Sequence, residues 1–441
     1  MTASLKIEYP AGAAGSGRAA EWRAGGGLVI ASALGVAVSA IHLYSIGLFI
    51  APLQQEFGWS RAQIMTGPTL VSVISVLLAP FAGMLIDRIG PRKFAVPGIV
   101  LYCAALALLS VAGSSMMSWW TVWLIMAIGS VSVKATAWMA AVSSRFTHSR
   151  GLALALVLCG SGICSALSPV AAKFAIDAFG WRGAYVALGA GCGIITIPMV
   201  VLFFREAPDY LASQKAKRDE DRQGPSGGVK LLTGRFIRLA LSAVIMQTAI
   251  TAMTIQFVPI VQSLRLSLAS AVGIAGLIGI ASIVGRIASG FLLDSINPRV
   301  VSVVSFLLPL ISCAALLAGE QSIPLAIVAA IGLGLSLGSE VDSIAYLTVR
   351  YFGLRDYGLR FGSIAGLLSF GAGMGPLFAA FIRDETGSYT LAVILVAPLF
   401  VLAALLILSL GPLPAEEEKG PARRRRRRAG SGVRHDRQMT I

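Results

Sequence analysis

The sequence predicts an all-α fold of twelve transmembrane helices, arranged as two six-helix halves that repeat one another in the same direction. Composition is the first observation behind this prediction. Of the 441 residues, 56% are hydrophobic and only 13% are charged, whereas soluble domains carry about 25% charged residues. The second observation is a series of long apolar segments, and the third is an internal repeat. The composition also argues against a disordered chain, a disulfide-rich scaffold and an ordinary soluble enzyme.

Twelve apolar segments, numbered here as spans 1 to 12, are each long enough to cross a bilayer, which takes about 20 residues of helix. Their continuity favours helices, because the strands of a membrane barrel alternate over about ten residues. Spans 1 to 6 are predicted at 28–52, 64–86, 94–112, 118–143, 152–174 and 185–204. Spans 7 to 12 are predicted at 236–261, 269–293, 300–318, 323–348, 361–382 and 391–410.

Most of the 36 Lys and Arg residues fall in alternate connections and in the two tails. The positive-inside rule therefore predicts a multi-pass protein of the cell's inner (plasma) membrane with both termini in the cytoplasm. The predicted segments are a cytoplasmic tail 1–27, an N-terminal half 28–204, a cytoplasmic linker 205–235, a C-terminal half 236–410, and a basic, disordered cytoplasmic tail 411–441.

The two halves align when the sequence is shifted by 207 residues. At this offset the segment from Gly83 to Arg92 matches the segment from Gly290 to Arg299. The same offset pairs Pro52 with Pro259, Ser60 with Ser267, Pro169 with Pro376, Asp177 with Asp384 and Gly180 with Gly387. Each half has six spans, so the repeats are parallel, and parallel repeats with a substrate site between them are a transporter architecture.

The connection between spans 2 and 3 reads Gly83-x-Leu85-x-Asp87-Arg88-x-Gly90-Pro91-Arg92-Lys93. It resembles the signature loop of the major facilitator superfamily, and the resemblance covers both halves. Within that superfamily the chain is similar to bacterial relatives of the monocarboxylate and oxalate/formate carriers. The motifs that carry this similarity are Gly58-Trp59-Ser60-Arg61, Gly180-Trp181-Arg182-Gly183 and Asp384-x-Thr386-Gly387-Ser388-Tyr389. The resemblance implies alternating-access transport, with Arg286 in span 8 binding the substrate carboxylate.

Two departures from these carriers concern charged positions. Animal-type monocarboxylate carriers have an Asp one turn before the span 8 arginine, where this chain has Ser282, and a Lys late in span 1, which corresponds to Tyr44. Oxalate/formate carriers have a Lys in span 11, and span 11 of this sequence has none. The familiar positions for the proton and for the second cation are therefore missing.

Four ionisable residues lie within predicted spans: Lys134 in span 4, Arg286 in span 8, and Glu340 and Asp342 in span 10. Each costs at least about 2.5–3.5 kcal/mol in the bilayer core, so a functional role is expected. We predict that Arg286 and Lys134 bind an organic anion. Glu340 and Asp342 are about 200° apart around a helix, so one can pair with Arg286 while the other carries a proton. Asp342 is favoured as the proton carrier because Tyr346 lies one turn further on. The alternative is a static ion-pair network.

Further polar residues occur on spans 1, 4, 7 and 10, which line the cavity in proteins that resemble this one. The predicted substrate-binding set is Arg286, Lys134, Tyr44, His42, Trp138, Gln247, Thr251 and Tyr346. Aromatic rings at this depth suit stacking on a carbon skeleton or capping a carboxylate. The alternative for each of these residues is helix–helix packing with a local hydrogen bond.

The signature loop and its repeat are predicted to act in gating. The residues concerned are Gly83, Asp87, Arg88, Gly90, Arg92 and Asp294. Positive-inside anchoring alone would explain the basic residues, but it would not explain Asp87 or the spacing of the glycines.

Together these features predict proton-coupled symport of a small, monocarboxylate-like organic anion. The sequence contains neither a phosphate-binding loop nor a nucleophile elbow, so we expect no enzyme, no cofactor and no metal. The alternatives are a proton-antiport exporter of drugs or metabolites and a non-transporting membrane sensor on the same scaffold. The expected partners are a small carboxylate, protons and membrane lipid, with no nucleic acid, and the chain is expected to be a monomer. The run Arg423 to Arg428 would attract anionic lipid.

Overall fold

The computed structural model describes residues 13–147, 149–212, 214–215, 233–319, 321–353 and 357–413. Throughout these ranges the regular structure is helical. Most of the predicted linker and nearly all of the basic tail, including the run Arg423 to Arg428, lie outside the described residues.

The helices of the N-terminal half confirm the predicted spans 1 to 6. They are α1 (Ala13–Ser39), α2 (Ile41–Phe57), α3 (Arg61–Ile89), α4 (Pro91–Leu108), α5 (Met116–Ser132), α6 (Ala135–Arg145) and α7 (Arg150–Phe203). α7 has 54 residues, about twice the length that one crossing needs. Its backbone departs from helical geometry at Gly180, where φ is 65° and ψ is 175°. Glycine adopts this φ without steric cost, so α7 contains spans 5 and 6.

The C-terminal half contains spans 7 to 12. Its helices are α8 (Gly234–Ile255), α9 (Phe257–Ser263), α10 (Leu268–Ser295), α11 (Pro298–Ala318), α12 (Ile323–Phe352), α13 (Tyr357–Thr386) and α14 (Thr390–Leu408). In the described residues 11 helices, with α7 counted once, are long and apolar enough to cross a membrane. Division of α7 at Gly180 gives the twelve spans that the sequence predicts.

Three spans are interrupted within the described residues, which the sequence analysis did not predict. Span 1 consists of α1 and α2, which meet at Ala40. Span 4 consists of α5 and α6, and the backbone is extended at Lys134 between them, with φ −61° and ψ 153°. Span 7 consists of α8 and α9, which meet at Gln256. Interrupted spans expose backbone groups at membrane depth, and membrane proteins tolerate this only where protein or a water-filled cavity surrounds them.

The 207-residue repeat is visible in local structure as well as in sequence. Ser60 caps the start of α3 and Ser267 caps the start of α10. Gly180 and Gly387 both have positive φ, at 65° and 72°. Each of these pairs is separated by the predicted offset, so the structure confirms two halves related by a parallel repeat.

The two halves belong to one compact unit that ends at Leu410. α3 of span 2 contacts α13 of span 11, and the span 5 part of α7 contacts α10 of span 8. Large apolar side chains remain exposed on the outside of the bundle, for example Phe174 at 74% and Phe291 at 73%. Such exposure suits a surface that faces lipid.

Candidate functional site

An ion pair between spans 8 and 10 is the centre of the candidate site. The Arg286 Nη1 atom lies 2.7 Å from the Asp342 Oδ1 atom, and the two side chains are 11% and 23% exposed. A charged pair of this kind is expensive in an apolar surrounding and persists only with close geometry. The structure therefore brings together two of the four charged residues that the sequence singled out.

Glycines allow spans 8 and 10 to approach closely enough for this pair to form. A Cβ atom on Gly338 of α12 would lie 2.0 Å from the Ser282 carbonyl oxygen. A Cβ atom on Gly285 of α10 would lie 2.3 Å from the Leu335 carbonyl oxygen. Any larger side chain at either position would push the helices apart, so the local sequence sets the distance at which Arg286 reaches Asp342.

Glu340 lies beside this pair and is only 2% exposed. Its Oε2 atom is buried and has no hydrogen-bond partner among the described residues. The hydroxyl of Ser343, on the same helix, is likewise buried without a partner in that part of the chain. Tyr44 of span 1 lies within electrostatic range of both Glu340 and Arg286. Through Tyr44, the N-terminal half therefore interacts with the charged residues of spans 8 and 10.

Lys134 lies in the N-terminal half, at the break in span 4. It is the residue that precedes α6, and its carbonyl oxygen accepts a hydrogen bond from the Ala137 N–H at 3.2 Å. His42 lies within electrostatic range of Lys134, and its Nδ1 atom is 2.8 Å from the Tyr102 hydroxyl. The start of a helix carries partial positive charge, so this part of the protein presents a cation together with a helix N-terminus.

A small cavity lies between the two halves, and neither Arg286 nor Asp342 is part of its wall. Its wall includes Tyr44 and Leu48 of span 1, Ser165 of span 5, Thr254 of span 7 and Ile278 of span 8. The volume in which the centre of a water molecule fits is about 20 Å³, which is room for one or two water molecules. The wall is mostly apolar apart from the three hydroxyl groups.

Of the eight predicted substrate-binding residues, Tyr44 alone lines this cavity. The other seven are not part of its wall: Arg286, Lys134, His42, Trp138, Gln247, Thr251 and Tyr346. Trp138 is fully buried, and its Nε1 atom donates to the Val133 carbonyl oxygen at 2.8 Å, across the break in span 4. Gln247 and Thr251 are buried in span 7, where the Thr251 hydroxyl donates to the Gln247 carbonyl oxygen at 2.7 Å. Tyr346 is partly buried in span 10, one turn after Asp342.

The predicted gating loop holds together one end of the bundle, called here the Arg92 end. The Arg92 Nη2 atom donates to the Val201 carbonyl oxygen at 2.8 Å, at the end of span 6. The Arg299 Nη2 atom makes the corresponding bond in the other half, to the Leu408 carbonyl oxygen at 2.5 Å. Both bonds place a cation at the C-terminus of a helix, where the backbone dipole favours positive charge.

Asp87 contacts the chain that follows span 6. It lies in hydrogen-bond contact with Tyr210, and burial together with the charges of Asp87 and Glu206 raises the pKa of Tyr210 to about 12. Gly90 has a positive φ of 91°. Among the other predicted gating residues, Arg88 and Asp294 are exposed, and Gly83 faces open space.

The opposite end, called here the Arg61 end, carries contacts between the halves that the sequence analysis missed. The N–H groups of Arg61 and Ala62, at the start of α3, donate to the Asp384 carboxylate at 3.2 and 2.7 Å. The Arg61 Nη1 atom donates to the Tyr389 hydroxyl at 3.0 Å. All of these residues except Ala62 stand in motifs quoted above for the family resemblance, which was the available signal, but no spacing rule connects residues more than 300 positions apart.

Comparison with known proteins agrees with this architecture. Residues 32–338 and 282–439 match the family model of the Major Facilitator Superfamily, and the chain belongs to that superfamily. It is a multi-pass membrane transport protein and not an enzyme.

Relatives and a solved structure extend this comparison. Human Monocarboxylate transporter 11 is 27% identical over 388 residues, covering 83% of this chain and 77% of the human protein. Monocarboxylate transporter 12 of Rattus norvegicus is 23% identical over 390 residues, covering 82% and 80% of the two chains. A crystal structure of a bacterial homologue of the human lysosomal transporter Spinster has a TM-score of 0.64 at 16% identity, covering 90% of this chain and 98% of that chain. At that identity the structural match supports the fold alone.

Proposed function

We propose that this transporter moves a small monocarboxylate together with a proton across the plasma membrane, with both termini in the cytoplasm. The observation that carries the proposal is the partly buried ion pair of Arg286 and Asp342, which are 2.7 Å apart between spans 8 and 10. The names of the relatives, which are monocarboxylate transporters, agree with a carboxylate substrate.

Competition for Arg286 supplies a mechanism for coupling. In the empty carrier the guanidinium of Arg286 is neutralised by the Asp342 carboxylate. An incoming substrate carboxylate suits the same planar fork, and it displaces Asp342. A buried carboxylate without a cation is strongly disfavoured, so the displaced Asp342 takes up a proton. Substrate binding therefore promotes proton binding.

Charge balance favours this sequence of events. The pair of Arg286 and Asp342 is neutral when the carrier is empty. With substrate on Arg286 and a proton on Asp342 the group is neutral again. Since charge within the membrane is costly, both forms can change between inward and outward access, whereas a form that holds only one of the two ligands cannot.

The other predicted residues take supporting roles in the proposal. Lys134, which lies within electrostatic range of His42, supplies positive potential in the N-terminal half together with the start of α6, and this potential attracts the substrate anion. Tyr44, which lines the cavity and lies within range of Arg286, contacts the substrate body. Glu340 is the second candidate for the proton, because it is 2% exposed and one of its oxygen atoms has no partner among the described residues.

Transport by the purified protein in proteoliposomes tests the proposal. Radiolabelled short-chain monocarboxylates should accumulate in vesicles when a pH gradient drives protons inward, and the accumulation should vanish when a protonophore removes the gradient. Movement of a drug or a metabolite against the proton flux would favour an exporter instead. Binding of a carboxylate without any movement would favour a sensor.

A further inference from the structure

The strongest unassigned feature is a chain of hydrogen bonds that starts at the rim of the Arg61 end and continues into the protein. At the rim, the Asp384 carboxylate of the C-terminal half accepts hydrogen bonds from the Arg61 and Ala62 N–H groups of the N-terminal half. These are the first N–H groups of α3, which have no partner within their own helix. Asp384 therefore holds a helix terminus that belongs to the other half.

The chain continues through Tyr389 to the break in span 7. The Tyr389 hydroxyl accepts a hydrogen bond from Arg61 at 3.0 Å and donates one to the Gln256 Oε1 atom at 3.3 Å. Burial raises the pKa of Tyr389, with the Arg61 charge opposing this effect, so the hydroxyl keeps its proton at physiological pH. Tyr389 and Gln256 are 2% and 0% exposed.

Gln256 connects these contacts to the cavity wall. It is the residue at which α8 ends and α9 begins, and its Nε2 atom donates to the Pro376 carbonyl oxygen of span 11 at 3.2 Å. Its neighbours Thr254, Ile255 and Val258 line the cavity. A movement of the span 7 wall around a substrate would therefore displace the partner of Tyr389.

We infer that Asp384, Tyr389 and Gln256 together form a latch that closes the Arg61 end and links that closure to the cavity wall. These three are positioning residues, because they act on the access of the substrate and do not touch it. Opening of this end must separate Arg61 from Asp384 and Tyr389, since they belong to different halves. The latch does not depend on which substrate is carried, so its test stands apart from the test of the proposed function.

The chain offers matched controls for the two key side chains. Tyr185 is 1% exposed, and its hydroxyl has no partner among the described residues, so Tyr185→Phe removes a buried hydroxyl without breaking a hydrogen bond in that part of the chain. Asp177 corresponds to Asp384 at the 207-residue offset, but it pairs with Lys173 on its own helix. Asp177→Asn therefore removes a similar charge from the same end without touching the latch.

Labelling of a reporter cysteine tests the latch directly. The five native cysteines are replaced by Ala, and Leu48→Cys is introduced in the cavity wall. A membrane-impermeant maleimide is then applied to sealed cells and, separately, to inverted vesicles. Tyr389→Phe and Asp384→Asn should each raise the labelling rate from the Arg61 side on the order of tenfold, which is the scale of one hydrogen bond to a charged group. Labelling from the other side should fall.

The two control variants should label like the parent from both sides. The latch is overturned if Tyr389→Phe and Asp384→Asn also label like the parent. It is equally overturned if labelling rises from both sides, because that pattern reports general loosening. Asp384 is exposed at the rim, so its variant should fold even if the buried Tyr389 variant does not. Transport supplies a second readout: the KM for substrate added on the Arg61 side should fall, because more carriers are open to that side.

Discussion

Arg286 is the residue on which substrate and proton compete in the proposed mechanism. Arg286→Lys keeps the positive charge but loses the planar fork that can hold a carboxylate with two parallel hydrogen bonds. We expect the KM for a monocarboxylate to rise on the order of tenfold, as for the loss of one charge-assisted hydrogen bond, while the melting temperature in detergent changes little. Transport kinetics and thermal unfolding of the same preparation check this. An unchanged KM would show that Arg286 does not bind the substrate carboxylate.

Amide variants distinguish the roles of the two carboxylates of span 10. Asp342→Asn resembles a permanently protonated carboxyl in size and charge. It should abolish accumulation driven by a pH gradient but preserve exchange of substrate across the membrane, because exchange moves no net protons. Glu340→Gln is the matched variant on the same helix and should keep some pH-driven accumulation. The opposite pattern would identify Glu340 as the proton carrier. Loss of exchange in both variants would favour a static ion-pair network.

At the scale of single residues, the sequence predicts which residues carry charge inside the membrane, but it does not predict which of them are in contact. The spacing of Glu340 and Asp342 shows only that they face different directions. Which of the two meets Arg286 depends on how α10 and α12 are rotated against each other, and on the close approach at Gly285 and Gly338. Those are properties of a contact between helices, and neither helix encodes them alone.

At the scale of elements, hydrophobic length predicts every span, because each segment must cross the same thickness of hydrocarbon. It does not predict the breaks at Ala40, Lys134 and Gln256, which have neither Gly nor Pro at the interrupted residue. At two of the breaks a side chain bonds a backbone carbonyl oxygen: Trp138 makes a local bond to Val133, and Gln256 makes a tertiary bond to Pro376. Such partners come from positions that a search for helix-breaking residues does not consider.

Span 8 also offers a test of how the cavity selects substrates. Ile278 lines the cavity and is 3% exposed, whereas Ile280, two residues on, is 56% exposed on the outside of the bundle. Ile278→Ala enlarges the cavity at its apolar wall. The preference for longer over shorter monocarboxylates, measured as a ratio of kcat/KM, should rise on the order of tenfold, since one methylene in an apolar pocket changes discrimination by about that amount or more.

Ile280→Ala is the control for this prediction and should leave the ratio unchanged. It removes the same atoms from the same helix, but from a side chain on the outside of the bundle. Equal shifts in both variants would mean that the substitutions act through the stability of span 8 and not through the cavity.

At the scale of the whole molecule, the 207-residue repeat is accurate where it concerns architecture and incomplete where it concerns function. It relates the helix caps at Ser60 and Ser267, and the bonds from Arg92 and Arg299 to the ends of spans 6 and 12. It does not relate the functional contacts. Asp384 bonds the other half while Asp177 bonds its own helix, and Lys134 corresponds to Val341 in the other half. In the proposed mechanism the two ends and the two ligands differ, which accounts for the divergence of the halves at those positions.

The equivalent bonds that Arg92 and Arg299 make at the Arg92 end predict that each half stabilises its last helix independently. Arg92→Gln and Arg299→Gln each remove a cation from a helix C-terminus, which contributes about 0.3–1 kcal/mol. Each variant should lower the melting temperature in detergent. The double variant should lower it by the sum of the two effects, because the bonded carbonyl groups, on Val201 and Leu408, belong to different halves. Arg88→Gln removes an exposed charge from the same loop and serves as the control. If either single variant lowers the melting temperature as much as the double variant does, the two halves do not unfold independently at this end.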